Sequence, residues 1–205
     1  MIVYVESNFV LELALGQEEQ PEADAILSWA EAGILTLRIP AFAVCEPFST
    51  VLQRARNRDR AWSEMSRQIV DLSRSSAHSE VVEELRPVQA TFRQVNQAES
   101  VALHLTLERV LAVTTPIGVT KAVLEDAYRS QREYALPAAD SVIYASILAD
   151  LREQDYDTDK VFVSRNKRDF DHHDLLRELG SFRCAYYQDF RSVEAHLRTA
   201  LNIDG

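Results

Sequence analysis

Short apolar runs separated by longer stretches of helical periodicity form the main pattern along the chain. Residues 2–5 (Ile-Val-Tyr-Val) are uniformly apolar, which is typical of a strand buried on both faces of a parallel sheet. Further strands are predicted at 34–39 and 160–164, with an edge strand at 184–187. Because helical patterns separate these strands, the sequence predicts an α/β fold with a central, mainly parallel sheet.

The middle of the chain, from Ala41 to about Arg132, contains no segment that we predict to be a strand. Helical periodicity fills it and is interrupted near Ser73, Pro87 and Pro116. This helical block is larger than one crossover between parallel strands requires. We therefore predict one domain over residues 1–205, with a large helical insertion, or arm, at 56–134.

Composition and charge narrow the possible functions. Hydrophobic residues make up 46% of the 205 residues, which is ordinary for a globular domain with one core. The net charge of −10 argues against tight binding of nucleic acid through phosphate neutralisation alone. Five scattered glycines provide no phosphate-binding loop. The chain shows neither a membrane-spanning run nor a signal-peptide pattern, so we expect a cytoplasmic protein without membrane contacts.

Four carboxylates stand where an apolar run ends or a helix begins: Glu6, Glu46, Asp140 and Asp169. In an open α/β sheet, residues that follow parallel strands meet in the crevice beyond the carboxyl ends of those strands. Converging carboxylates repel one another and normally need a divalent cation to hold them together. The pattern therefore indicates metal-dependent hydrolysis.

Each of these acids stands in a short motif, and the four motifs are Val5-Glu6-Ser7-Asn8, Ala43-Val44-Cys45-Glu46, Ala139-Asp140-Ser141-Val142-Ile143-Tyr144-Ala145 and Val163-Ser164-Arg165-Asn166-Lys167-Arg168-Asp169-Phe170. These motifs resemble those of the PIN-domain family of metal-dependent ribonucleases, which includes the toxins of bacterial VapBC-type toxin–antitoxin pairs. The resemblance covers roughly residues 1–55 and 135–190.

The resemblance implies a three-layer α/β/α fold and an Mg²⁺- or Mn²⁺-dependent endoribonuclease that hydrolyses RNA phosphodiester bonds. It also implies an antitoxin protein as a partner, and homodimer formation. The implied catalytic residues are Glu6, Glu46, Asp140 and Asp169, with Glu6, Asp140 and Asp169 as metal ligands. The residues expected to orient these acids are Asn8, Ser164 and Asn166, and those expected to contact RNA are Arg165, Lys167 and Arg168.

This chain departs from the family pattern at three positions. Glu6 stands where the family usually has Asp and carries its carboxylate about 1.5 Å further out, which would shift the metal, favour Mn²⁺ or weaken binding. Asn166 stands where some members have an acid, so Asp169 is the predicted ligand and Asp171 the reserve. Pro47 either places Glu46 in the first turn of a helix or kinks a helix that begins at Ala41.

Glu6, directly after four apolar residues, is hard to explain structurally, but the other residues also have ordinary structural explanations. Asp140 is equally a helix N-terminal acid, stabilised by the helix dipole by ~0.3–1 kcal/mol. The pair His172-His173 is best explained as part of a surface loop, and the run Arg54-Arg56-Arg58-Arg60 as a solvated helix face. The alternative to a nuclease is therefore a catalytically weak or inactive PIN-fold scaffold that binds RNA or protein. A phosphatase of the haloacid type is disfavoured, because that family needs an Asp pair where this chain has Glu6-Ser7-Asn8.

Overall fold

A single five-stranded sheet, in which every neighbouring pair is parallel, organises the molecule. The computed structural model describes residues 1–203. The strand order is β3-β2-β1-β4-β5. The strands are β1 (Ile2–Tyr4), β2 (Thr36–Pro40), β3 (Thr114–Ile117), β4 (Lys160–Val163) and β5 (Cys184–Tyr187).

Ten α-helices connect and cover these strands within the described range. A short 3-10 turn at Ser76–His78 is the remaining helical element there. No helix between residues 1 and 203 combines the length and hydrophobicity needed to cross a membrane. The helices are α1 (Ser7–Leu15), α2 (Gln20–Glu31), α3 (Ala41–Leu72), α4 (Ser79–Leu85), α5 (Val88–Val113), α6 (Lys121–Tyr134), α7 (Ala138–Glu153), α8 (Lys167–Phe170), α9 (His173–Ser181) and α10 (Phe190–Leu201).

The central strands are buried on both faces, which confirms the α/β architecture predicted from the apolar runs. Every residue of β1 and β4 is buried, so helices must cover both sides of the sheet. Tyr4 and Phe162 are fully buried members of the core, as is Phe9 of α1. The fold is thus consistent with three layers, with the parallel sheet between two layers of helices.

The strand order places a crevice beside β1. From β1 the chain adds β2 and then β3 on one side, whereas β4 and β5 lie on the other side. The connections that leave β1 and β4 therefore run toward opposite edges of the sheet. In open α/β sheets, ligand crevices form at such a point, beyond the carboxyl ends of the strands. Glu6 follows β1, and Ser164 follows β4. The fold therefore places these two residues on either side of the crevice.

The prediction that no strand lies between residues 41 and 132 is wrong. β3 is an edge strand that pairs with β2, from Leu37 opposite Thr114 to Pro40 opposite Ile117. Only Ile117 of its four residues is buried, and Pro116 cannot donate to a partner strand. A short, largely exposed strand that contains proline has no apolar pattern to reveal it.

Two long helices extend beyond the sheet and form a helical arm, defined here as residues 52–102. The buried residues of α3 are Ala43, Pro47 and Val51, all in the first third of its 32 residues. Those of α5 lie in its C-terminal half, from Leu103 onward. Arg58 pairs with Glu99 at 2.5 Å and joins the two helices within the arm. The predicted arm at 56–134 overlaps this segment, but β3 and the buried half of α5 belong to the core.

Helix α3 begins at Ala41 and contains Pro47 in its interior, which decides between the two alternatives for this proline. Because proline has no N–H, the carbonyl of Ala43 loses its intrahelical partner. Glu46 immediately precedes this weakened step of the helix.

Candidate active site

Glu6 is an almost fully buried carboxylate, exposed by only 2%, at the N-terminus of α1. It is the N-cap of that helix: its Oε2 accepts from the backbone N–H of Asn8 at 2.9 Å and from the hydroxyl of Ser7 at 2.8 Å. Its Oε1 is buried and accepts no hydrogen bond from residues 1–203. Burial raises the pKa of Glu6, and donors from Asn8, Ser7 and Ser164 oppose that rise. A buried carboxylate with one unpaired oxygen can accept a further ligand.

Asp140 lies in the first turn of α7 and is half-buried. The side-chain amide of Asn166 donates to its Oδ1 at 3.2 Å. Burial and the charge of Asp169 raise the pKa of Asp140 to about 6, with smaller contributions from Glu46 and Glu6. The other three predicted acids therefore all repel the charged form of Asp140.

Glu46 enters the same region from α3. Its Oε2 is buried and has no hydrogen-bond partner within residues 1–203. Thr50, one turn further along α3, faces the same cavity. Two carboxylates from different elements therefore each present a buried oxygen that no group within residues 1–203 satisfies.

A cavity of about 390 Å³ brings three of the four predicted acids together. Its position matches the crevice expected from the strand order. The residues that line it are Glu6, Ser7, Asn8, Leu11, Glu46, Thr50, Asp140, Arg165 and Asn166. Long-range convergence of Glu6, Glu46 and Asp140 is therefore observed.

Asp169 lines a neighbouring cavity of about 480 Å³ instead. It lies in the one-turn helix α8 and is near enough to Asp140 to raise the pKa of that carboxyl. Asp171, the reserve acid, also lines this second cavity and is exposed.

The acids do not form a complete metal site in this arrangement. No group of three or more His, Cys, Asp or Glu residues among 1–203 is placed to hold a metal ion together. The predicted ligand set of Glu6, Asp140 and Asp169 thus converges without closing around a common point. The donor chemistry still fits a hard divalent cation, because the cavity contains carboxylate oxygens that are buried, unpaired and mutually repelling.

Two residues predicted to orient the acids are linked to each other. Ser164 is fully buried after β4, and its hydroxyl accepts from the backbone N–H of Asn166 at 3.0 Å. Asn166 in turn holds Asp140. The turn after β4 therefore connects the surroundings of Glu6 to Asp140.

The basic residues predicted to contact RNA differ in their surroundings. Arg165 donates to the fully buried Glu12 and also pairs with Glu18 at 3.2 Å. Lys167 and Arg168 are exposed, and neither forms an ion pair in the described part of the chain. Arg165 therefore neutralises a buried acid, whereas Lys167 and Arg168 keep their charges at the surface.

Sequence reasoning missed Ser7, Thr50 and Glu12. Ser7 stands in the motif around Glu6 but has no predicted role there, and Thr50 is detectable only through its spacing of four residues from Glu46. Glu12 lies in an otherwise apolar stretch of α1, a position where a buried charge requires a partner.

Comparison with known proteins adds no relative to this description. The chain matches no protein-family model, no curated protein and no solved structure.

Proposed function

We propose that the chain is a PIN-like, divalent-metal-dependent endoribonuclease that hydrolyses RNA phosphodiester bonds. The observation that carries this proposal is the cavity in which Glu6, Glu46 and Asp140 meet, with unpaired buried oxygens on Glu6 and Glu46. Carboxylates are rarely left buried and unpaired, and a cation is the usual compensation.

Glu6, Asp140 and Asp169 would hold Mg²⁺ or Mn²⁺, with Glu46 completing the site. A bound divalent cation neutralises charge on the scissile phosphate and lowers the pKa of a water molecule. Ser7 and Asn8 fix one oxygen of Glu6 and leave the other available. Asn166 fixes the orientation of Asp140.

Under this proposal, metal binding requires that Asp140 be deprotonated. Its pKa of about 6 means that it binds a proton in mildly acidic solution, and a carboxyl must be deprotonated before it can bind a cation. Metal affinity and cleavage should therefore both fall as the pH drops below about 6.

The test compares Asp140→Asn with a control on the same helix. Glu153→Gln removes an exposed charge near the C-terminal end of α7, away from the cavity. RNA cleavage is measured with Mg²⁺, with Mn²⁺ and with EDTA. We expect Asp140→Asn to reduce the rate roughly 10²-fold or more, and Glu153→Gln to leave it unchanged. Cleavage that survives both EDTA and Asp140→Asn would reject the proposal.

The second candidate is a PIN-fold scaffold with weak or no turnover. It is favoured by the absence, within residues 1–203, of three acids placed around one point, and by the use of one Glu6 oxygen as a helix cap. Calorimetric titration with Mn²⁺ separates the two candidates. A protein that binds RNA without binding Mn²⁺ would be the scaffold.

The toxin role and its partners, an antitoxin protein and a second copy of the chain, remain predictions of the resemblance. Co-expression with the product of the adjacent reading frame tests the antitoxin. A growth defect relieved by that product would support the toxin role.

A further inference from the structure

Two aromatic rings line the cavity beside the candidate active site. Tyr134, at the end of α6, and His172 have ring centroids 5.7 Å apart, with their planes tilted by 48°. Behind them, Tyr144 packs edge-to-face on Tyr134, and its hydroxyl donates to Glu178 at 2.7 Å. Tyr144 is fully buried, so it gives the half-buried Tyr134 ring firm support. Such a supported ring suits stacking with a planar group.

His172 presents a defined hydrogen-bonding edge. Its Nδ1 accepts from the backbone N–H of Asp174 at 3.3 Å and caps helix α9. A neutral imidazole that accepts at Nδ1 carries its proton on Nε2. The exposed Nε2–H is therefore available as a donor. His172, assigned to a surface loop from the sequence, is a helix cap in van der Waals range of an aromatic neighbour.

The charges around this cavity disfavour the binding of a free anion. Asp169 and Asp171 line it together with Arg168. Two carboxylates against one guanidinium repel a phosphate, but they accept hydrogen bonds from amino groups. A neutral, planar, hydrogen-bonding group fits this environment best.

We infer that the cavity lined by Tyr134 and His172 receives one nucleobase of a single-stranded RNA, stacked on the Tyr134 ring beside the candidate active site. This inference rests on the proposed function for its choice of ligand. Asp169 lines the cavity and lies within electrostatic range of Asp140, so a base held there has its adjoining phosphate near the acids. Tyr134 and His172 are positioning residues that set where the strand lies.

The test measures binding in EDTA, where cleavage does not interfere. The probes are a 5′-fluorescein-labelled single-stranded hexaribonucleotide and an abasic hexamer with the same ribose-phosphate backbone. Fluorescence anisotropy gives the ratio of their dissociation constants for wild type, Tyr134→Ala, Tyr134→Phe and His172→Asn. The Asn variant keeps a helix cap and removes the ring. Tyr156→Ala, which removes an exposed tyrosine from a distant loop, is the matched control.

We expect wild type to prefer the intact hexamer about tenfold or more. Tyr134→Ala should reduce this preference at least about fivefold, and His172→Asn should reduce it to a smaller extent. Tyr134→Phe and Tyr156→Ala should retain it. The inference fails if wild type shows no preference, if Tyr134→Ala keeps it, or if Tyr134→Phe loses as much as Tyr134→Ala.

The outcome is separable from that of the proposed function. A base preference that depends on Tyr134 in a protein that cleaves nothing would reject the nuclease and keep this binding site. Metal-dependent cleavage with a KM unaffected by Tyr134→Ala would keep the nuclease and reject the site.

Discussion

Asn166 donates its side-chain amide to Asp140 Oδ1 at 3.2 Å and so joins the turn after β4 to the first turn of α7. This neutral donor stabilises the charged form of Asp140, but burial and three other acids oppose it. The net effect is a carboxyl whose charge destabilises the folded chain at neutral pH.

Replacing Asp140 by Asn should stabilise the protein at neutral pH while reducing activity. Because folding raises the pKa of Asp140 from 3.8 to about 6, its favourable contribution is complete below pH 4 and is lost as the pH rises through 6. At pH 7.5 we expect a gain of roughly 1–2 kcal/mol in unfolding free energy, after allowance for solvent screening at a half-buried site.

The measurement is chemical denaturation of wild type and Asp140→Asn at pH 4 and pH 7.5. The variant's advantage should appear only at the higher pH. Equal stabilisation of the variant at pH 4 and at pH 7.5 would show that the ionised Asp140 carboxylate does not destabilise the folded protein.

Shortening Glu6 to Asp should change the metal preference of cleavage. Asp is also a favourable N-cap, so the contact with the Asn8 N–H can persist while the carboxylate withdraws by about 1.5 Å. Mg²⁺ tolerates little misplacement of its ligands, and under the proposed function Asp has the length expected at this position, so the variant should support Mg²⁺ better than Glu6 does. We therefore expect the ratio of the Mn²⁺-supported to the Mg²⁺-supported rate to decrease severalfold. An unchanged ratio would mean that Glu6 does not contact the metal.

Removing Arg165 should destabilise the fold, whereas removing Arg168 should not. Arg165→Ala leaves the buried carboxylate of Glu12 without its cation, which we expect to cost roughly 2–4 kcal/mol. Arg168 is exposed and unpaired in the described chain, so Arg168→Ala should stay within about 0.5 kcal/mol of wild type. Urea denaturation provides both values, and equal losses would contradict the distinction.

Truncating Arg58 should loosen the arm without affecting the core. Arg58 bonds to both Glu99 and Asn96 and so links α3 to α5. Arg58→Ala should increase amide hydrogen exchange in residues 52–102, because the parts of α3 and α5 that lie within the arm contain no buried residue. Exchange in β1 and β4 serves as the internal control. Faster exchange there would show that arm and core unfold together.

The sequence predicted those parts of the fold that have a local apolar pattern. Buried runs such as residues 2–5 and 160–164 revealed central strands, and acids after them indicated the crevice. β3 was not predicted, because an exposed edge strand does not require alternating apolar residues. The pairing of Glu12 with Arg165 joins positions 153 residues apart and has no local signature. The convergence of Glu6, Glu46 and Asp140 was predictable, but the placement of Asp169 in a second cavity was not.

Glu46 and the arm belong to one continuous helix, and Pro47 removes a main-chain hydrogen bond at the step between them. Helices bend most readily where such a bond is missing. From Val51 the helix continues for about 30 Å. A small bend at Pro47 would therefore move the far end of the helix by a large distance relative to Glu46, which lines the cavity. Conversely, a force applied at the far end of the arm would change the angle at which Glu46 enters the crevice.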